Sequence, residues 1–262
     1  GFNNPDNEWD SNETEILLVG DSFTHGSSVN RPFDIASQLR KLSNKSVLNL
    51  GYDNNGPLIM YATLREYLKP NTKNVIWIFD ASTNFNDLNQ EYKNNILKNY
   101  LNSFDFTQNL KIRQNEINDI VNEEINIRLK KNNLKTKLIK FLKIFKIRIS
   151  LFKKKTKKQI HSELFKKILI FSNELSNKNN SSFYFVYLPE YKRYKKNYDD
   201  TKYKLVKKIV NDLEIPFIDI HNEVFHKEKN PLNLFSFGSN LHYTIEGYKK
   251  VSESIYNFIK YY

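Results

Sequence analysis

The sequence predicts a three-layer, doubly wound α/β domain built on a mostly parallel, five-stranded sheet. Short apolar runs of strand length alternate with amphipathic stretches of helical length along most of the 262 residues. The runs are apolar at consecutive positions, which is typical of parallel strands covered on both faces. Apolar residues make up 39% of the chain, enough for a sizeable core. In such sheets, ligands bind beyond the carboxyl ends of the strands.

The first half of the chain supplies three strands. A polar lead-in to Glu13 is expected to be irregular, because it combines a proline with several asparagines. Buried strands are then predicted at 15–20, 46–50 and 74–79. Helices are predicted between and after them at 32–42, 57–68 and 87–100, the first two opened by prolines.

The second half repeats this alternation. Strands are predicted at 181–188 and 216–220, and helices at 160–175, 201–213 and 246–261. We therefore expect residues 1–262 to form a single domain, interrupted by a long extra piece at about 102–158.

The extra piece carries the basic charge of the chain. Residues 126–160 contain 14 lysines and arginines and no acidic residue, which leaves 27 basic residues against 29 acidic ones elsewhere. The net charge of +12 thus belongs to one segment. No nucleic-acid-binding motif accompanies this charge, so the sequence predicts no nucleic-acid partner.

The apolar residues from Leu134 to Phe152 have helical spacing with lysines between them, which predicts an amphipathic basic helix. Three interpretations remain open. In the first, the helix packs its apolar stripe on the rest of the domain. In the second, it lies on an anionic membrane surface. In the third, it forms a lid or a docking surface for an anionic polymer.

Two residues at the ends of predicted strands could carry chemistry. Ser22 lies in Gly20-Asp-Ser-Phe23, on the turn that leaves the first strand, and His242 lies between the last strand and the last helix. Both belong to the carboxyl edge of the sheet, so a general base could meet a nucleophile there. His25 is expected to have a supporting or solvent-facing role.

Several kinds of site are excluded or not expected. The chain has no cysteine, which excludes disulfides, thiolate zinc sites and cysteine nucleophiles. The remaining histidines show no metal-ligand spacing, and Gly20 to Gly26 lacks the pattern of a phosphate-binding loop. The sequence predicts no metal and no cofactor.

These motifs resemble the SGNH (GDSL-type) serine hydrolases over 15–261, apart from the insertion. The resemblance implies a flavodoxin-like fold in which Ser22 is the nucleophile and His242 the base. It also implies an oxyanion hole, formed by the backbone N–H of Ser22 and by two further blocks. In the second block, at 49–56, Asn54 stands where the family has glycine, with Gly51 and Gly56 nearby. Asn54 and Gly56 are the candidate donors of this block.

The third block of the family supplies an asparagine side chain to the oxyanion. Asn86, in Asn86-Asp87-Leu88, fits that position best, and Asn84 is the runner-up.

The sequence departs from the family at the acid of the triad. Ser239 stands three residues before His242, where the family has aspartate. Three outcomes are open. A backbone carbonyl or Ser239 orients His242 in a working dyad, a carboxylate such as Asp219 or Glu223 substitutes, or the domain only binds its ligand.

The resemblance implies a serine esterase or O-acyltransferase whose substrates are acetylated glycans, lipids or small esters. We favour acetyl groups on a glycan and a periplasmic or membrane-associated location over a cytoplasmic one, because many relatives act on surface polysaccharides. The alternative is a catalytically weakened glycan-binding or scaffolding domain.

Overall fold

The computed structural model describes residues 2–81, 84–135, 159–236 and 242–262. Five parallel strands form one sheet in the order β2-β1-β3-β4-β5. The strands are β1 Thr14–Val19, β2 Val47–Asn49, β3 Thr72–Asp80, β4 Ser182–Leu188 and β5 Phe217–Asp219. The predicted doubly wound, parallel architecture is confirmed.

Helices connect the strands. In the first half they are α1 Asn7–Asp10, α2 Ser22–His25, α3 Ile35–Ser43, α4 Pro57–Tyr67, α5 Asn84–Glu91 and α6 Asn95–Asn102. They continue as α7 Gln114–Lys135, α8 Gln159–Lys178, α9 Thr201–Asp212, α10 Ile220–Glu223 and α11 Ile245–Tyr261.

Both faces of the sheet are apolar because neighbouring strand residues point to opposite sides. In β3, Val75, Trp77 and Phe79 pack with helices α4, α5, α6, α8 and α9. Ile76 and Ile78 pack on the other face with α3, α10 and α11. All five side chains are fully buried, which explains the consecutive apolar positions of the strand sequence.

Two predictions of local structure are wrong. The predicted helix at 87–100 is two helices, because the Asn94 side chain accepts the N–H groups of Ile96 (2.9 Å) and Leu97 (3.3 Å) and starts α6 anew. The lead-in is also not wholly irregular. It contains α1, where buried Glu8 pairs with Arg40 at 3.1 Å.

The chain divides into two compact units, one formed by 1–106 with 161–262 and the other by 107–160. In the second unit, α7 begins beside an ion pair between Arg113 and Glu116. Most of the apolar stripe from Leu134 to Phe152 and most of the basic segment lie outside the described residues. The basic amphipathic helix and its three interpretations therefore stay predictions. Among the helices described, none is long and apolar enough to span a bilayer.

A buried carboxylate joins α5 to α4. Glu91 is 6% exposed, and its two oxygens accept the backbone N–H groups of Gly56 (2.7 Å) and Leu58 (2.9 Å) at the start of α4. Burial raises the pKa of Glu91 to about 7, outweighing the backbone hydrogen bonds that lower it.

This raised pKa predicts a dependence of stability on pH. The folded chain holds the Glu91 proton to a higher pH than the unfolded chain, whose carboxyl has a pKa near 4.5. We therefore expect the free energy of unfolding to fall by roughly 3 kcal/mol as the pH rises from 4.5 past 7. Urea unfolding at pH 5, 6, 7 and 8 measures it. Glu91→Gln should remove this slope and Glu253→Gln should keep it, whereas equal slopes in both variants would contradict the assignment.

Candidate active site

Ser22 is the first residue of α2, directly beyond the carboxyl end of β1. The Asp21 carboxylate caps this short helix by accepting the N–H of Phe23 at 3.0 Å. Gly20 lets the turn lie close against the strand, since a Cβ at this position would overlap the Thr24 hydroxyl. The turn thus presents the Ser22 hydroxyl at the edge of the sheet.

Contacts of its own carbonyl and of the next residue hold the backbone at His242. Its carbonyl accepts the N–H of Ser236 at 2.8 Å, next to an antiparallel bridge between Phe235 and Tyr243. The buried Tyr243 hydroxyl donates to the carbonyl of Pro189 at 2.8 Å. These contacts fix the backbone that carries the imidazole.

The structure brings Ser22 and His242 together across 220 positions of sequence: His242 Nε2 lies 2.7 Å from Ser22 Oγ. The Phe23 ring packs against the imidazole, with 4.7 Å between ring centroids. Burial lowers the pKa of His242, and the charge of Asp53 opposes this shift. A neutral imidazole at hydrogen-bond distance from a serine hydroxyl can act as its general base.

The other imidazole nitrogen has an unexpected partner. His242 Nδ1 lies 3.1 Å from the hydroxyl of Ser28, six residues after Ser22. Ser239, the predicted orienting side chain, lies outside the described residues.

Of the three open outcomes for the missing acid, the one in which Asp219 or Glu223 replaces it is wrong. The Asp219 carboxylate accepts hydrogen bonds from the side chains of Tyr203, Lys207 (3.1 Å) and Asn222 (2.8 Å). Glu223 pairs with Lys227 at 3.0 Å. Both carboxylates therefore serve the region around β5 and α10 rather than His242.

In the second block, hydrogen bonds discriminate between the predicted oxyanion donors. The N–H of Gly51 donates to Asn49 Oδ1 at 2.8 Å, and the N–H of Gly56 donates to Glu91. The prediction of Gly56 as a donor is therefore wrong. Asn54 adopts a left-handed conformation with φ +64°, in a turn exposed to solvent. Asn54 stays the candidate donor of this block.

In the third block, Asn84 and Asn86 both lie in the first turn of α5, after β3. Their side chains lie outside what the structure describes. The assignment of Asn86 or Asn84 to the oxyanion stays a prediction.

A cavity of about 680 Å³ opens on the Ser28 side of the pair. Its lining includes Asn3, His25, Ser27, Ser28, Arg31 and Asp53. His25 Nδ1 lies 3.2 Å from the carbonyl of Gly51, which agrees with the supporting role expected for it. Within the described part of the chain, no three histidine or acidic side chains are grouped to hold a metal.

Comparison with known proteins relates this architecture to solved structures. A member of the lipolytic protein G-D-S-L family from Veillonella parvula is 13% identical, with a TM-score of 0.52 over 94% of this chain and 98% of that one. The acetyl xylan esterase AlAXEase is 13% identical, with a TM-score of 0.54 over 94% and 99%. A GDSL-like lipase from Bacteroides thetaiotaomicron is 12% identical, with a TM-score of 0.50 over 99% and 91%.

The chain has the SGNH hydrolase fold. No protein-family model and no curated protein matches the sequence, so the likeness lies in the structure. The resemblance predicted from the motifs is confirmed at this level. In the SGNH fold of this chain, Ser22 and His242 follow the first and last strands and meet at the carboxyl edge of the sheet.

Two residues near His242 were not identified from the sequence, Ser28 and Asp53. Ser28 contacts His242 but lies outside the blocks that the resemblance identifies. Asp53 lies within the second block, and its charge opposes the lowering of the His242 pKa, but the resemblance gives it no role. The only local signal was their placement in polar, turn-forming segments that follow β1 and β2.

Proposed function

We propose that this chain is a serine hydrolase that cleaves acyl esters, or transfers the acyl group to an alcohol. The observation that carries the proposal is the 2.7 Å hydrogen bond between His242 Nε2 and Ser22 Oγ. The SGNH fold supports it, since the similar structures include proteins named as an esterase and a lipase.

In the proposed reaction, Ser22 Oγ attacks the ester carbonyl while His242 Nε2 takes the hydroxyl proton. The backbone N–H groups of Ser22 and Asn54, with the side chain of Asn86, stabilise the negative charge that develops on the carbonyl oxygen. His242 then returns the proton to the departing alkoxide, leaving an acyl group on Ser22. Water releases it as a carboxylic acid, or a second alcohol accepts it.

We propose an acetyl group on a glycan as the substrate. One similar structure is named an acetyl xylan esterase. The cavity beside the pair is lined by amide, hydroxyl and charged side chains, which suit a partner rich in hydroxyl groups. A periplasmic or membrane-associated location fits a glycan substrate and forms part of the same proposal.

The test of this function compares three substrates with the purified chain: p-nitrophenyl acetate, p-nitrophenyl octanoate and acetylated xylan. We expect hydrolysis of the acetate ester, weaker hydrolysis of the octanoate, and release of acetate from the glycan. Hydrolysis of the octanoate alone would replace the glycan with a lipid substrate. Binding of acetylated xylan without release of acetate would favour the alternative, a catalytically weakened binding domain.

The oxyanion assignment has its own test. Asn86→Ala should lower kcat by about 10²- to 10³-fold, the typical loss for one such donor, and leave thermal unfolding nearly unchanged. Asn84→Ala is the matched control, since both residues lie in the first turn of α5. If Asn84→Ala loses activity and Asn86→Ala keeps it, the assignment moves by two residues.

A further inference from the structure

We propose that the work of the missing triad acid is divided between two residues of neighbouring loops, Ser28 and Asp53. The Ser28 hydroxyl accepts a hydrogen bond from Nδ1–H of His242 and holds its tautomer, while Asp53 supplies the negative charge that stabilises the imidazolium. The inference rests on the proposed function, because it concerns the base of that reaction. Both residues are positioning residues that act through His242.

The contact between Ser28 and His242 can form a hydrogen bond in the direction that a base requires. For Nε2 to take the Ser22 proton, the ring must carry its own proton on Nδ1, 3.1 Å from Ser28 Oγ. The Ser28 hydroxyl has lone pairs that can accept a hydrogen bond from Nδ1–H. Ser28 can therefore hold the tautomer that a triad aspartate would hold.

The backbone at Ser28 supports a positional role. Its φ is +77°, a conformation that residues other than glycine, asparagine and aspartate rarely adopt, and Ser28 is exposed. The loop is held there by the Tyr248 hydroxyl, which donates to the carbonyl of Ser27 at 3.0 Å. Unfavourable backbone conformations persist where the surroundings enforce them, and they concentrate at functional sites.

A hydroxyl carries no charge, so Ser28 alone cannot stabilise the imidazolium as a carboxylate does. Asp53 lies on the loop after β2 and lines the same cavity. Its Oδ1 accepts a hydrogen bond from the Ser27 hydroxyl at 2.7 Å, which holds the carboxylate next to the residue before Ser28. The charge of Asp53 raises the pKa of His242 against the effect of burial.

Other titratable groups lie on the elements next to His242. Asp21 precedes α2, His25 ends it, and Arg31 lies on the loop that follows and lines the cavity. Tyr243 is the next residue in the chain after His242, and Tyr248 lies on α11. A test must therefore isolate Ser28 and Asp53 from these groups by single substitutions.

Three substitutions at Ser28 separate orientation from charge, and all three residues tolerate a left-handed backbone. Ser28→Gly removes the acceptor and should lower kcat by about five- to tenfold with little change in KM. Ser28→Asp should raise the pKa of His242 by about one unit and raise kcat at pH 8. Ser28→Asn is its neutral control and should leave the pKa of His242 within the spread of repeat measurements.

Asp53→Asn should lower the pKa of His242 and lower kcat by about two- to fivefold. The same change should have less effect when combined with Ser28→Asp, because the new carboxylate then supplies the charge. Glu223→Gln is the matched control and should alter neither value. NMR titration of the His242 ring measures the pKa without turnover, and thermal unfolding verifies that each variant is folded.

The outcomes distinguish this inference from the proposed function. If the parent chain is active, and Ser28→Gly retains full kcat or Asp53→Asn leaves the pKa of His242 unchanged, the division of the acid's role between Ser28 and Asp53 is overturned. The proposed function then stands. A folded chain without esterase activity, but with the expected pKa shifts, overturns the function and retains the roles of Ser28 and Asp53 toward His242.

Discussion

We expect Ser22→Ala to abolish measurable hydrolysis of p-nitrophenyl acetate, with a loss of about 10⁴- to 10⁶-fold in kcat. The substitution removes the atom that attacks the ester, the Ser22 hydroxyl oxygen that lies 2.7 Å from His242 Nε2. Water reaching the same site lacks the effective concentration of a bound nucleophile. Initial rates under saturating ester measure this loss.

The fold should survive the Ser22→Ala change. Ser22 is at the surface edge of the turn, and the capping contact of α2 belongs to Asp21 and Phe23. Ser254→Ala, a serine on α11, serves as control and should retain full activity. Residual hydrolysis of more than about one hundredth of the parent rate would contradict the role of Ser22 as nucleophile.

We expect His242→Gln to cause a loss of similar size, about 10⁴- to 10⁶-fold in kcat. Glutamine keeps a polar side chain but cannot take a proton from Ser22 at neutral pH. The parent chain should also show an acid limb in its pH profile. Burial lowers the pKa of His242, so kcat/KM should fall only as the pH drops through a value below 6.5.

The control for this prediction is His226→Gln, which replaces an exposed histidine beyond α10. It should retain both the rate and the acid limb. An acid limb that stays in place in Ser28→Asp, or activity in His242→Gln near that of the parent, would assign the base to another group.

Most of the fold could be predicted because strand and helix patterns are local. Buried runs such as Glu15 to Gly20 show their strand character within six residues, and the structure places β1 within one residue of this range. The break before α6 could not be predicted from periodicity, because it depends on a single capping side chain, Asn94. A capping side chain starts a new helix at a single residue and leaves the apolar spacing of the sequence unchanged, so the spacing does not show the break.

The site was predictable where a motif carries the chemistry, at Ser22 and His242. The site was not predictable where the geometry of the loops decides which groups meet. The N–H of Gly56 is engaged by Glu91, 35 residues away, and Ser28 meets His242 across 214 positions. Such contacts depend on how separate loops lie against one another at the edge of the sheet, which no local pattern encodes.

Covalent labelling tests the central claim most directly, that His242 activates Ser22 as a nucleophile. The purified chain is treated with a fluorophosphonate at pH 7.5, and intact mass and peptide mapping locate the product. We predict one phosphonyl group per chain, bonded to Ser22 Oγ with loss of fluoride, absent in Ser22→Ala and strongly slowed in His242→Gln. A chain that stays unlabelled, or that carries the group on another residue, would contradict the claim.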